Sequence, residues 1–452
     1  MARVLCVDFG STFTKAVLVD TADGTLVATA THPTTSATDV LQGYSAIRGT
    51  LGAERVDQVL GCSSAGGGLR LAVVGFERGV TAEAGRRVGL SAGAKVVHVA
   101  AGPMTTADVA SLRAARPDVV LLVGGTDGGN AEVLQHNARR LGTGRVGAPV
   151  IVAGNVEVSE VALHELVSRG RRAVGTANVL PRIGVLDAEP ARAAIREMFI
   201  RHVIGGKGLS RGPAFARLVR AATPDVVLTG VGLLADGGPG VPGIGDVLVV
   251  DVGGATTDVY SVVTPSGEDA APREDVVPTP WRARTVEGDL GLRWSAVGVV
   301  DAARAEGLAT GPGLQAYAER VAGDPAFVPA DPREDAELAR LAVTVALRRH
   351  GRAAAPPSAP RPLRDVRLVV GSGGVLRHTT DVVRADVLAP AVSDHGGGWR
   401  VPRAAALAVD ESYLLFAAGL LADQAPRAAA ALVASGLRGL RGVGAQGPGW
   451  GP

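Results

Sequence analysis

The sequence predicts an α/β protein with mostly parallel sheets, arranged as two similar lobes and a separate doubly wound unit. Three observations predict it. Strand-like apolar runs alternate with helical stretches along nearly all of the chain. Between Lys95 and Thr176 that alternation becomes a regular strand–helix series, with Gly at most strand ends. Finally, the segment Val7-Asp8-Phe9-Gly10-Ser11-Thr12-Phe13-Thr14-Lys15 recurs in outline as Val250-Asp251-Val252-Gly253-Gly254-Ala255-Thr256-Thr257-Asp258, 243 positions later. Each copy is an apolar strand, an Asp, a turn of Gly, Ser, Thr or Ala, and a Thr-rich second strand, which points to duplicated lobes rather than a local repeat.

Taken in order, Val4–Val7 and Thr14–Val19 read as strands joined by a tight Gly-Ser-Thr turn, and Leu26–Thr31 as a third. Thr38–Leu51 reads as a helix and Gln58–Cys62 as a strand. In the regular series the strands are Val96–Ala100, Val119–Val123, Pro149–Ala153 and Ala173–Thr176. Its helices open at Thr105 or Thr106, near Asn130 and near Glu157. The hairpin pattern returns at Val247–Val250 and Thr257–Val263 across a Gly-Gly turn. Asp331 followed by Pro332 caps and opens an amphipathic helix that runs to His350. Ala353–Pro362 is a Pro-rich link, Val366–Val370 a buried strand, and Glu411–Leu421 a helix. Residues 423–452, rich in Ala, Gly, Arg and Pro, read as a flexible tail that is partly helical at most.

Composition narrows the function classes. A chain of 452 residues favours two or three domains, and 46% hydrophobic with 20% charged residues excludes a disordered or collagen-like chain. No apolar run reaches the ~18 residues of a membrane span. The N-terminus runs straight into a strand with no secretory pattern, so a cytoplasmic protein is expected. The net charge of +2 and the 3% aromatic content supply neither a polybasic field nor a stacking platform, so no nucleic-acid partner is expected. The only lysines are Lys15, Lys95 and Lys207, which makes each worth placing. Cys6 and Cys62 form no CxxC or Cys/His cluster and read as buried thiols rather than zinc or iron–sulfur ligands. His98 reads as a satisfied core histidine, and Arg333-Glu334-Asp335 and Arg348-Arg349 as solvated helix faces.

A strand ending in Asp and followed by a Gly- and hydroxyl-rich turn suits a polyphosphate. Gly lets the backbone approach closely, so its N–H groups and nearby hydroxyls can donate to phosphate oxygens. An Asp fits there when Mg²⁺ lies between carboxylate and phosphate, mostly through waters. Two such loops facing one another would clamp the phosphates from both sides, with Lys15 adding a point charge. A third glycine site, Gly371-Ser372-Gly373-Gly374, follows a buried strand and would let the backbone lie flat against an adenine or ribose.

The order Asp-x-Gly-Ser-Thr, Asp-x-Gly-Gly-x-Thr-x-Asp, Gly-Ser-Gly-Gly resembles the phosphate-1, phosphate-2 and adenosine motifs of the actin, Hsp70 and sugar kinase superfamily. The resemblance implies a two-lobed actin/Hsp70-like ATPase fold with Mg²⁺-bound ATP or ADP in the cleft. It assigns Asp8 and Asp251 to the magnesium shell and the attacking water. Gly10, Ser11, Thr12 and Lys15 then serve one side of the phosphates, and Gly253, Gly254, Thr256 and Thr257 the other. Gly371, Ser372, Gly373 and Gly374 would line the adenosine, and Asp258 would fix its hairpin. Glu287 and Asp289, in Glu287-Gly288-Asp289-Leu290-Gly291-Leu292-Arg293, are nucleotide-side candidates that also read as solvated helix-start acids.

Together with Cys62-Ser63-Ser64-Ala65-Gly66-Gly67-Gly68-Leu69 and Gly124-Gly125-Thr126-Asp127-Gly128-Gly129-Asn130, these motifs are similar to those of the glutamate mutase accessory family, GlmL or MutL, which is unrelated to the mismatch-repair protein of that name. The resemblance runs to about residue 422. It implies an ATP-dependent reactivating chaperone for an adenosylcobalamin-dependent mutase, similar to the diol dehydratase reactivating factors, with a small second reactivase subunit as a further partner. It also implies the division 1–77 first lobe, 78–200 inserted α/β module, 201–245 return to the first lobe, 246–422 second lobe, 423–452 tail. Two further readings stay open: a small-molecule kinase on the same fold, and a nucleotide-binding scaffold that never hydrolyses. A hydratase-activating electron-transfer protein of this superfamily is disfavoured by the missing cluster cysteines.

Overall fold

The computed structural model describes residues 3–53, 56–65, 69–204, 208–264, 282–352 and 360–439. Gly66, Gly67, Gly68, Lys207, most of the Pro-rich link and the chain from 440 onward lie outside the described residues. The first lobe opens with an antiparallel meander, β1 (Arg3–Phe9), β2 (Phe13–Asp20) and β3 (Thr25–Pro33). Helix α1 (Val40–Thr50), capped by the Asp39 carboxylate on the Leu41 N–H, returns the chain to β4 (Gln58–Ser63), parallel to β1. β10 (Val219–Ala222) completes the sheet in the order β10-β4-β1-β2-β3. β1 is buried on both faces, whereas the edge strand β3 alternates half-buried and exposed residues.

Between β4 and β10 lies the inserted module. Its strands are β5 (Arg70–Gly75), β6 (Lys95–Ala101), β7 (Val119–Leu122), β8 (Val150–Val152) and β9 (Ala173–Gly175), all parallel in the order β6-β5-β7-β8-β9. The crossovers are α2 (Thr81–Ser91), α3 (Thr106–Ala114), α4 (Glu132–Thr143) and α5 (Val156–Val167). Thr105 and Asp108 form a reciprocal capping box on α3. α6 (Glu189–Met198), a π-helical turn at 199–204 and α7 (Ala214–Leu218) lead back to β10. The strand β5 stands on the first-lobe side of the expected 77/78 boundary yet is inside the module's sheet. Leu71–Gly75 is a continuous apolar run that suits burial in either sheet, and only pairing decides which.

α8 (Thr223–Asp236) and the short pair β11 (Gly237–Gly238) and β12 (Val241–Pro242) connect to the second lobe. There β13 (Val247–Val252), β14 (Thr257–Val262) and β15 (Arg282–Glu287) form the meander. α9 (Ala296–Ala305), α10 (Leu314–Gly323) and α11 (Pro332–Gly351) follow, then β16 (Leu368–Ser372) parallel to β13. α12 (Gly374–Arg377), α13 (Asp381–Leu388) and α14 (Pro390–Ser393) precede β17 (Ala406–Val409), and α15 (Leu414–Leu421), α16 (Pro426–Gly436) and β18 (Arg438–Gly439) close the chain's described part. The order β15-β14-β13-β16-β17-β18 repeats the first lobe's plan strand for strand, with β18 added.

Equivalent helices follow the equivalent strands: α8 after β10, α15 after β17. Each packs on the other lobe's sheet, α8 on β13 and β14, α15 on β1 and β4. One apolar cluster therefore runs from Val4, Cys6 and Val17 through Val231 and Ala418 to Val249 and Val370. The two helices cross in close contact. A Cβ at Gly230 would stand 2.0 Å from the Leu415 carbonyl oxygen, and one at Gly419 would stand 1.9 Å from that of Val226. The module also touches the second lobe, with α2 against β15 and the Lys95 ammonium at Gly288.

Several expectations change. The expected flexible tail begins as α16, whose Ala429, Leu432 and Val433 are buried in the interlobe cluster; small apolar residues at helical spacing outweigh the tail-like composition. The helix expected from Glu411 opens at Leu414 instead, after Tyr413 in the left-handed conformation at φ 58°. Asp335 and Arg348 are buried rather than solvated. Asp335 receives both terminal nitrogens of Arg293 at 2.8 Å and the Tyr317 hydroxyl at 2.7 Å. Arg348 forks onto Asp394 at 2.8 Å and reaches Glu306. Glu287 and Asp289 start no helix; both accept from Arg349. His98 is only half-buried and its Nε2 has no partner among the described residues.

Candidate functional site

The two lobes end their first strands in the same construction. Asp8 pairs with Lys15 across its hairpin, and Asp251 with Asp258 across the matching one. The Gly10 N–H donates to the Phe13 carbonyl at 3.2 Å, and the Gly253 N–H to the Thr256 carbonyl at 2.9 Å. A Cβ at Gly10 would stand 2.5 Å from that carbonyl oxygen, so this turn requires glycine. The loops meet across the cleft, where Gly254 lies against the Thr12 hydroxyl.

Asp8 is 1% exposed, and a carboxylate that deep requires partners. Its Oδ2 lies 3.2 Å from Lys15 Nζ. Its Oδ1 accepts from Thr223 Oγ1, the first residue of α8, at 2.5 Å and from the Cys62 thiol at 3.7 Å. Asp251 lines the same cavity, with Ser372, Asp410 and Tyr413 alongside. Burial pushes the Asp251 carboxyl up from its ordinary value, Lys15 pulls it down, and Asp258 adds to the push. For Lys15, burial works against the ammonium, but Asp8, Tyr413 and Asp251 outweigh it and hold the pKa above its ordinary value. Asp410, at the end of β17, accepts from the Leu414 and Leu415 N–H groups at 2.8 and 3.1 Å and so caps α15. Burial raises its carboxyl as well, against those two donors.

This donor set is all oxygen: three carboxylates with the Thr223 and Ser372 hydroxyls, the chemistry of a hard cation. Among the described residues no three His, Cys, Asp or Glu side chains stand close enough to hold a metal by themselves.

The remaining candidate residues divide. Ser11 is exposed and Thr12 half-buried. Ser372 pairs in register with Asp251 and hydrogen-bonds its carboxylate. Gly373, at φ 112°, passes so close to β13 that a Cβ would meet the Val252 carbonyl oxygen at 2.1 Å, and Gly374 is exposed with open space around it. Thr257 is fully buried and donates to the Leu290 carbonyl at 2.6 Å, which turns its hydroxyl away from the cleft. Thr256 donates to Asp258 at 3.2 Å, and Asp258 also receives Arg284 at 2.7 Å, fixing the hairpin. Gly371 makes room for Leu376 and Leu388 inside the second lobe. In the inserted module, the Gly124–Asn130 loop is cross-braced from within. Asn178 donates to the Gly125 carbonyl and Asp127, and Asn155 to the Gly129 carbonyl.

Sequence reasoning missed Thr223, Asp410 and Tyr413. One signal was available: Ala406-Leu407-Ala408-Val409-Asp410 is a third apolar strand ending in Asp, like those at Asp8 and Asp251.

Two sheets of one plan, crossed interlobe helices and matched Asp turns define the actin, Hsp70 and sugar kinase class of fold. Within it, the model of the MutL protein family matches residues 4–437, and the chain belongs to that family. It is 35% identical over 454 residues to Protein MutL of Clostridium tetanomorphum, spanning 94% of this chain and 97% of that one. Solved structures similar to it include the ethanolamine utilization protein EutJ of Carboxydothermus hydrogenoformans, at 11% identity and TM-score 0.30 over 96% of this chain and 90% of that one. Component A of the Acidaminococcus fermentans (R)-2-hydroxyglutaryl-CoA dehydratase is similar at 10% identity and TM-score 0.33, over 95% and 100%. No helix among the described residues is long and apolar enough to cross a membrane.

Proposed function

We propose that this protein binds Mg²⁺-ATP in the cleft, hydrolyses it slowly, and uses the cycle to exchange damaged cofactor on an adenosylcobalamin-dependent mutase such as glutamate (methylaspartate) mutase. The observation that carries the nucleotide half is the convergence of Asp8, Lys15 and Asp251 from matched turns of the two lobes. The mutase half rests on membership of the MutL family. Bound Mg²⁺ would offset charge on the phosphates. Lys15 would hold phosphate oxygens from the first lobe. Asp251, its carboxyl raised by burial, would orient the attacking water and take its proton. Because α8 and α15 start at the cleft and each packs on the opposite sheet, a change at the phosphates would be passed to both lobes.

The test is ATP hydrolysis by the purified protein with Mg²⁺, with and without a cobalamin-inactivated mutase from the same source, and with Asp251→Ala as the blank. The expected result is a slow, Asp251-dependent rate that rises with the damaged mutase. A rate indifferent to the mutase would remove the mutase half, and absence of hydrolysis would remove the ATPase half.

A further inference from the structure

Tyr413, which lines the cavity beside Asp8 and Asp251, has a cation from each lobe against its ring. The Lys15 ammonium lies 4.7 Å from the Tyr413 ring centroid, and the Arg377 guanidinium carbon 3.4 Å from it. Tyr413 holds its place at φ 58°, a left-handed conformation that is strained for a bulky side chain. Arg377 closes α12, directly after the Gly373-Gly374 loop, with its own N–H on the Gly373 carbonyl.

The acids near Arg377 act on it through charge but are hydrogen-bonded or paired to other groups. Both oxygens of Asp410 accept from the first turn of α15, and Glu411 pairs with Arg384. Nε and Nη1 of Arg377 are buried and meet no acceptor among the described residues. Arg284, which also has two buried nitrogens without an acceptor, differs because its Nη2 is on Asp258. A guanidinium keeps its charge in a protein, and buried donors demand acceptors. A forked donor stacked on an aromatic face is a geometry suited to phosphate oxygens.

We propose that Arg377 is a phosphate-binding residue of the cleft, gripping the anionic groups of a nucleoside di- or triphosphate from the second lobe as Lys15 does from the first, with Tyr413 as the shared platform. This rests on the reading of the cleft as a nucleotide site. It makes the grip on phosphate bilateral, since each lobe contributes one cation.

The experiment is calorimetric titration of the full chain with ADP and with adenosine, both with Mg²⁺, for the parent, Arg377→Ala and Arg377→Lys. The expected result is a loss in ADP affinity on the order of tenfold to hundredfold for Arg377→Ala, the range for one charge-assisted contact. Adenosine affinity stays at the parent value, and Arg377→Lys recovers part of the ADP affinity. Equal losses for ADP and adenosine would make Arg377 a support for Tyr413 and overturn the inference. ADP bound alike by parent and Arg377→Ala would overturn it while leaving the cleft reading intact, whereas a parent that binds neither ligand would overturn both.

Discussion

The crossing of α8 and α15 makes a sharp quantitative prediction. Ordinary contact for a Cβ begins at 3.4 Å, whereas a methyl at Gly230 would stand 2.0 Å from the Leu415 carbonyl oxygen and one at Gly419 1.9 Å from that of Val226. Either substitution to Ala forces the helices apart by about 1.4 Å, because backbone cannot rotate away as a side chain can. Overpacking of that kind costs about 1–3 kcal/mol or more, against a gain of about 1 kcal/mol from replacing a mid-helix Gly by Ala. With backbone clashes this deep the cost lies at the top of that range, so net destabilisation of about 2 kcal/mol is expected for each, read as a lower urea midpoint. The double variant is the discriminating case. One retreat of the helices relieves both clashes, so the two costs should fall short of additivity by on the order of 1 kcal/mol. Gly49→Ala, exposed in α1 with open space around it, is the control and should be neutral or slightly stabilising. Midpoints for Gly230→Ala and Gly419→Ala at or above that of the parent would refute the close-crossing argument.

Further predictions concern charge. Burial raises the Asp251 carboxyl, so the folded state holds that proton more tightly than the unfolded chain, and stability is lost as pH rises above about 3.9 through the raised value. Asp251→Asn should therefore melt above the parent at neutral pH and match it once both are uncharged in acid; a lower melt at neutral pH would contradict this. Burial holds His350 neutral and its pKa well below the ordinary value, between Thr285 at 3.0 Å and Ser261 at 2.9 Å. The unfolded chain then takes up the proton first, so stability falls as pH drops below about 6.5, by up to ~1.4 kcal/mol per pH unit. His350→Gln should flatten that slope, which pH-resolved denaturation will read. Asp335→Ala strands Arg293 in a mostly buried site and should lower stability by about 3 kcal/mol; a change below about 1 kcal/mol would count against the pair as a buried one.

The parts of this molecule that were legible in its sequence are those that local chemistry dictates. The Asp8 and Asp251 turns announce themselves because the tight Gly10 and Gly253 hairpins and the acid beside them are fixed within ten residues. Thr223 and Tyr413 were not legible, since each matters through a partner more than 200 positions away in sequence, Asp8 for the one and Lys15 for the other. Asp335 was legible in principle. It falls on the same helical stripe as Leu338, Ala339 and Ala342, and reading Arg333-Glu334-Asp335 as one charge run concealed that. α16 was obscured in the same way, its buried alanines averaged into a Gly- and Pro-rich composition. Thr257 and Gly371 match the motifs in sequence, yet the alternation of a strand turns both toward the second lobe's interior.

The central claim is that the cleft between the duplicated lobes holds a magnesium nucleotide through Asp8, Lys15 and Asp251. The most direct measurement is calorimetric titration of the purified chain with Mg²⁺-ATP, beside Lys15→Met and Asp251→Asn, with circular dichroism confirming that each variant is folded. The account predicts saturable binding at one site per chain, weakened at least about tenfold in both variants, as expected when a charged contact is removed. Binding that is absent from the parent, or equally tight in all three proteins, would contradict it.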